Sequence, residues 1–189
     1  MADSKLKVLT ICGSLRKKSY NAALARALPG LAPANMMLSD APPWETLPLY
    51  NADIQESSGF PGPANDLAEA VRAADGVLIV TPEYNWSIPG GLKNALDWLS
   101  RMKEQPFKEK PVAIQSASQG PLGGGRMQYH LRMSLTFLNA FVFGTPEIFV
   151  AMAQNKFDKD TLKLTDEPTR KIISQQLEAF GKFIERVRA

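Results

Sequence analysis

Apolar runs and stretches with helical spacing alternate along this chain from end to end. Leu6 to Cys12 has the run of apolar residues expected of a strand covered on both faces, and Leu24, Leu28 and Leu31 then share one face of a helix from about Ser19 to Leu31. A short strand, Asn35 to Ser39, precedes the next helix, Ala64 to Ala73. Gly76 to Thr81 is a third strand, followed by a helix from Gly90 to about Arg101 whose buried stripe is Leu92, Ala95, Leu96 and Leu99. Pro111 to Ser116 is a fourth strand, leading to a long helix that ends near Ala140. The fifth strand, Phe141 to Val150, is interrupted by Gly144 and Pro146, which predicts two short pieces at a sheet edge. Ile173, Leu177, Phe180, Ile184 and Val187 make the core stripe of a closing helix. Strand–helix alternation of this kind predicts an α/β domain with a five-stranded parallel sheet and helices on both faces.

One segment breaks the alternation. Asp40 to Pro63 holds five prolines among polar and aromatic residues and shows no regular period. A stretch this long inside a compact domain is usually functional or interfacial; a solvated connection is the other reading.

Composition narrows the picture. With 189 residues, 44% hydrophobic and 22% charged, the chain has the makings of one soluble globular domain. No apolar run nears the roughly 20 residues that cross a bilayer, and the amino end enters strand pattern without a signal-peptide core, so no membrane is expected and the expected compartment is the cytoplasm. The net charge of +3 is mild, the isoelectric point is near 9.0, and no basic face with interleaved aromatics suggests nucleic acid. The one cysteine, Cys12, excludes an intrachain disulfide framework and the ligand set of an iron–sulfur cluster. Cys12 ends an apolar strand as a small buried residue, and the one histidine, His130, belongs to a helix surface. A hydrolase or metalloenzyme would lack its working groups, and no metal site is expected.

Chemistry-bearing residues gather in three loops. Right-handed crossovers bring the ends of strands one, three and four to the same side of the sheet, where open α/β sheets bind ligands. The first loop, Gly13 to Asn21, runs into a helix N-terminus whose N–H groups and dipole favour an anion, and Ser14, Arg16 and Ser19 add donors. Arg16, Lys17 and Lys18 oppose the helix dipole, which a bound anion would justify; Lys17 and Lys18 equally suit solvent. The loop lacks both GxGxxG and GxxxxGK[ST], so it fits one terminal phosphate better than a pyrophosphate. The second loop, Thr81 to Gly90 (TPEYNWSIPG), is a lip carrying a proline-fixed backbone, Glu83, Tyr84 and Asn85, a set able to meet the edge of a flat polar ring. The third, Ser116 to Gly120, is small and flexible enough for its backbone to approach a ring closely, and Gly123 to Gly125 continue that freedom.

These residues carry a family likeness. GSLRKKSYN from Gly13 and PEYNWSIPGGLKNALDW from Pro82 resemble the two signature loops of the NAD(P)H-dependent FMN reductases, the flavodoxin-like group that includes chromate reductases, azoreductases and quinone reductases. QSASQGPLGGGRMQYHLR from Gln115 is similar to the third loop and following helix of that family. The resemblance implies a flavodoxin-like three-layer sandwich holding FMN non-covalently. It implies phosphate held by Ser14, Arg16, Ser19 and Asn21, the isoalloxazine edge met by Pro82, Glu83, Tyr84 and Asn85, and the pocket completed by Ser116, Ser118, Gln119 and Gly120.

It implies, too, a homodimer or homotetramer with the flavin near a subunit interface. The chemistry would be the flavin's: hydride from NADPH or NADH to N5, then from N5 to a small-molecule acceptor such as a quinone, chromate, a ferric complex, an azo compound or free flavin, with no catalytic side chain. An electron carrier of the flavodoxin type, or a flavin redox sensor, are the other readings. Carriers of that type tend to be acidic, against the basic balance here. Arg101, Arg126 and Arg132 are candidate contacts for the nicotinamide cofactor.

Overall fold

The computed structural model describes residues 5–188. Its parallel sheet has β2 (Met36–Asp40), β1 (Leu6–Cys12), β3 (Gly76–Val80) and β4 (Pro111–Ala117) side by side in that order. Two short strands, β5 (Phe141–Val142) and β6 (Ile148–Val150), then pair with the start and the end of β4. The expected fifth strand is therefore two pieces at the edge, parted at Gly144 and Pro146. This is the flavodoxin-like order 2-1-3-4-5.

Because side chains alternate across a strand, the sheet has a core on each face. Leu9, Ile11, Val77, Ile79, Val112 and Ile114 pack on α3 (Gly62–Ala73), α4 (Gly90–Ser100) and α5 (Gly125–Phe137). Val8, Leu78, Val80 and Ala113 pack on α1 (Tyr20–Ala27) and α6 (Glu167–Arg188). Strand β3 is buried throughout, and each of its Val, Leu and Ile side chains contributes roughly 1.5–3 kcal/mol of apolar burial. No helix among the described residues is long and apolar enough to cross a membrane.

Several boundaries differ from the sequence expectations. The first helix gives way at Leu28 to a tight 3₁₀ turn, Leu28–Gly30, because Pro29 cannot continue it. Helix α3 begins at Gly62 with Pro63 in its first turn. Helix α5 ends at Phe137, and Asn139 turns left-handed (φ 54) beyond it.

The proline-rich stretch is not wholly irregular, since it contains an additional helix, α2 (Ala52–Ser58). No residue of α2 is buried, so no apolar stripe announced it; Asn51 caps it by accepting from the Asp53 N–H at 2.9 Å. The chain just before α2 is fastened to α4 rather than solvated. Asn94 donates to the Pro48 carbonyl and accepts from the Tyr50 N–H, both at 2.8 Å, and the Trp98 indole donates to the same Pro48 carbonyl at 2.8 Å.

Candidate active site

The loops after β1, β3 and β4 converge at the carboxyl ends of the strands. Gly13 makes the approach of the first two possible. Its N–H donates to the Val80 carbonyl at 2.9 Å, and a Cβ there would sit 2.2 Å from the Thr81 hydroxyl oxygen. From Ser14 to Tyr20 no backbone N–H donates a hydrogen bond within the described residues. Arg16 is exposed and forms no ion pair among the described residues. Ser19, buried, caps α1 by accepting from the Asn21 and Ala22 N–H groups at 3.1 and 3.4 Å, and no group among the described residues accepts its hydroxyl proton. Unspent donors around a helix N-terminus fit a phosphate monoester.

Asn21, for which the resemblance implied a phosphate contact, is engaged with the end of β4. Its amide Nδ2 donates to the Ala117 carbonyl and its Oδ1 accepts from the Ala117 N–H, both at 2.9 Å. In a parallel ladder Gln115 and Ala117 present their backbone groups to the same neighbour. Gln115 receives the Thr81 N–H at 3.0 Å, but the chain leaves β4 at Pro82, so the Thr81 carbonyl and the Glu83 N–H, the next groups on that side, do not reach Ala117. The Asn21 side chain stands in for the missing strand, binding the first loop to the end of β4.

The lip is a two-residue hairpin. Tyr84 and Ser87 exchange N–H···O bonds of 3.0 and 2.9 Å around Asn85 (φ 49) and Trp86 (φ 65), a type I′ geometry. Asn suits the left-handed region; a bulky Trp there costs roughly 1–2 kcal/mol. Trp86 is nevertheless exposed, with the Arg126 guanidinium 4.3 Å from its ring centroid. The Glu83 carboxylate accepts from the Met127 N–H at 3.1 Å and lies 3.9 Å from Arg126, so it caps α5, whose N-cap residue Gly124 offers no side chain. The Glu83 carboxylate is thus directed to α5, and its own backbone N–H and that of Asn85 are among the unspent donors of the lip, with the half-exposed Tyr84 ring beside them. Ser87 adds a bond of 3.1 Å to His130, confirming His130 as a helix-surface residue with a bracing role.

The third loop is held more firmly than its glycines suggested. Ser116 is fully buried: its hydroxyl donates to the Gly123 carbonyl at 2.6 Å and accepts from Gln128 Nε2 at 2.8 Å, which removes it from ligand contact. Gly123 (φ 58) and Gly124 (φ 91) are demanded by this packing, since a Cβ on Gly124 would lie 2.8 Å from the Ser116 hydroxyl oxygen. Ser118, Gln119 and Gly120 remain accessible, and the backbone N–H groups of Gln119 and Gly120 are unspent.

Three clusters of free backbone donors therefore lie at the carboxyl ends of neighbouring strands: one at the N-terminus of α1 after β1, one in the lip after β3 and one in the third loop after β4. They fit FMN, whose phosphate and polar ring edge need donors at both ends. Of the arginines, Arg126 stands at the lip. Arg132 is spent on the Phe143 carbonyl at 2.8 Å and Glu147 at 3.2 Å, and Arg101 stacks over Tyr50, 5.4 Å from its centroid. Trp86 and Ser87 escaped the sequence reading, although the Asn-Trp pair between Tyr84 and Ser87 carries half of a type I′ signal in its Asn. Cys12 is half-buried and burial pushes its thiol up, so it is a poor nucleophile at neutral pH.

Comparison with known proteins agrees with this geometry. A sequence profile of the NADPH-dependent FMN reductases matches residues 6–155. The chain is 53% identical over 186 residues to a quinone reductase of Escherichia coli, covering 98% of this chain and 99% of the relative. It is 46% identical over 188 residues to an NAD(P)H-dependent FMN reductase of Pseudomonas aeruginosa, with full coverage of both. Among solved structures, the flavoenzyme NAD(P)H:acceptor oxidoreductase FerB of Paracoccus denitrificans superimposes with a TM-score of 0.85 at 32% identity, covering 96% of this chain and 98% of that one. The chain belongs to the NADPH-dependent FMN reductase family.

Proposed function

We propose that this protein, as a single flavodoxin-like domain of residues 1–189, passes reducing equivalents from NAD(P)H to quinones by way of bound FMN. The observation that carries the reading is the set of unspent backbone donors at the ends of β1, β3 and β4. The names of the relatives, quinone reductase and NAD(P)H-dependent FMN reductase, support the acceptor and the reductant. They also weigh against the electron-carrier and redox-sensor readings.

FMN supplies the hydride chemistry, and no catalytic side chain is needed. Ser14, Ser19, Arg16 and the loop N–H groups hold its phosphate. Glu83 and Asn85 N–H groups, with those of Gln119 and Gly120, meet the ring edge and favour negative charge there. Pro82 and Tyr84 shape the wall, Ser118 lies at the rim, and Asn21 and Ser116 act behind it by fixing the third loop. Chromate, ferric complexes, azo compounds and free flavin are further candidate acceptors.

A homodimer or homotetramer is proposed from α5, where Tyr129, Met133 and Phe137 are 56%, 65% and 77% exposed at four-residue spacing, an unpartnered apolar stripe beside the lip. The proposed compartment is the cytoplasm. The test is an absorbance spectrum of the purified protein, then NADH and NADPH oxidation with a benzoquinone. A yellow protein that oxidises a nicotinamide cofactor only when quinone is present is expected; a colourless one that fails to retain added FMN sinks the proposal.

A further inference from the structure

A cavity of about 510 Å³ lies between the ends of β1 and β2, bordered by Ser14 to Lys17 of the first loop. Its volume falls within the roughly 300–1,000 Å³ of small-molecule sites. Thr10 and Cys12 of β1 and Ala22 and Ala25 of α1 form its floor, and the Asp40–Glu45 segment forms one wall. That segment belongs to the stretch whose irregular length pointed to function.

The charges around this cavity are unusual. Lys17 and Arg26 face it together with Asp40 and Glu45, while Ser14 and Arg16, assigned above to the FMN phosphate, lie on the edge it shares with that site. Yet none of the first four forms an ion pair within the described residues. Opposite charges lining one space and left apart are available to a ligand that carries both anionic groups and hydroxyl donors. Both Arg26 and Asp40 line this space, with Cys12 at its floor.

The FMN phosphate does not account for this set. Arg26 lies six residues along α1 from Tyr20, about 9 Å from the helix N-terminus at 1.5 Å per residue. Asp40 is the last residue of β2. An acid at the end of a second parallel strand, beside a phosphate-binding first loop, is placed to accept from ribose hydroxyls. The ring-edge donors lie at β3 and β4, about two strand spacings or ~10 Å across the sheet from this cavity, a separation that suits the two halves of one dinucleotide.

We propose that this cavity takes the adenosine diphosphate half of the nicotinamide cofactor, with Arg26 on the pyrophosphate and Asp40 on the adenosine ribose, while the nicotinamide reaches the flavin. The inference rests on the reductase reading above. Asp40 would oppose a 2′-phosphate, so its removal favours NADPH relative to NADH.

The test uses FMN-loaded protein. Calorimetric titration with ADP-ribose measures the site directly, and stopped-flow reduction of the flavin gives the Kd of NADH and of dihydronicotinamide mononucleotide, which lacks the adenosine half. Arg26→Ala is expected to weaken both ADP-ribose and NADH by about tenfold and to leave the mononucleotide within twofold. Asp40→Asn is expected to shift the ratio of NADH to NADPH affinity towards NADPH. ADP-ribose that does not bind, or an NADH Kd unmoved by Arg26→Ala, overturns the proposal; ADP-ribose binding that depends on Arg26 with NADH unaffected marks a site for free nucleotide and overturns it equally. Flavin that no nicotinamide reduces would refute the reductase reading itself, a result separable from failure at Arg26.

Discussion

Replacing Asn21 by alanine separates two roles that the same residue has been given. The sequence pointed to the FMN phosphate; the structure has both polar atoms of its amide on the Ala117 backbone at 2.9 Å. Asn21 and Ala117 are each 3% exposed, so truncation leaves one buried N–H and one buried C=O without partners. At about 1–3 kcal/mol for each unsatisfied group, less a few tenths for the better helix propensity of alanine and some relief by water entry, the loss is about 2–4 kcal/mol. With an m-value of about 2 kcal/mol/M, the urea midpoint falls by about 1–2 M. The assay is urea unfolding of FMN-free protein, which removes any ligand contribution to stability. Asn21→Asp should also be destabilised, because a carboxylate then faces the Ala117 carbonyl. An unchanged midpoint in FMN-free Asn21→Ala, accompanied by weakened FMN binding, would refute the clamp and restore the phosphate role.

Arg16→Ala should weaken FMN binding by about 1.5–3 kcal/mol, the worth of a charge-assisted phosphate bond, as read by fluorescence titration; unchanged affinity removes Arg16 from the site. Glu83→Ala deprives the α5 N-terminus of its acceptor and should cost about 1 kcal/mol in thermal unfolding, whereas Glu83→Gln keeps an acceptor and should cost less. Asp166 accepts from the Thr169 N–H at 3.0 Å and from its hydroxyl, which lowers the carboxyl from its ordinary value of 3.8. A lowered folded-state value means the stabilisation is present above pH ~4 and is lost as pH falls through the folded value. Asp166→Ala should be less stable than wild type at pH 7, and the difference should shrink as the pH falls through the lowered carboxyl value, measured by urea titrations from neutral to acidic pH. Cys12, raised by burial, should react slowly with iodoacetamide at pH 7 and faster as the pH climbs above 9.0, whereas rapid alkylation at pH 7 would contradict its placement.

Much of the fold was legible because its signals are local and strong. Strand β3 is a continuous apolar run that needs burial on both faces, and the Leu92–Leu99 stripe has one reading as a helix. Helix α2 was not legible, because it buries nothing and rests on one cap and on the anchoring of the chain before it. In the site, the loops themselves were evident as polar sets at strand ends. What their side chains do was less so. Asn21, Glu83 and Ser116 are polar residues in polar loops, and sequence offers no way to tell a donor aimed at a ligand from one aimed at the protein. Trp86 was invisible as a site residue for another reason: a left-handed tryptophan contradicts local preference, and only its stacking with Arg126 and the Tyr84–Ser87 pairing support it.

The sequence by itself determined the α/β alternation, the three polar loops and the family likeness, because periodicity, turn residues and short motifs are properties of neighbours in the chain. Tertiary structure alone decided the division of labour. Ala117 lies 96 residues from Asn21, and Met127 lies 44 from Glu83. Whether a side chain serves ligand or scaffold depends on which backbone groups the sheet leaves unpaired beside it, and that is settled only when β3 turns away from β4 at Pro82.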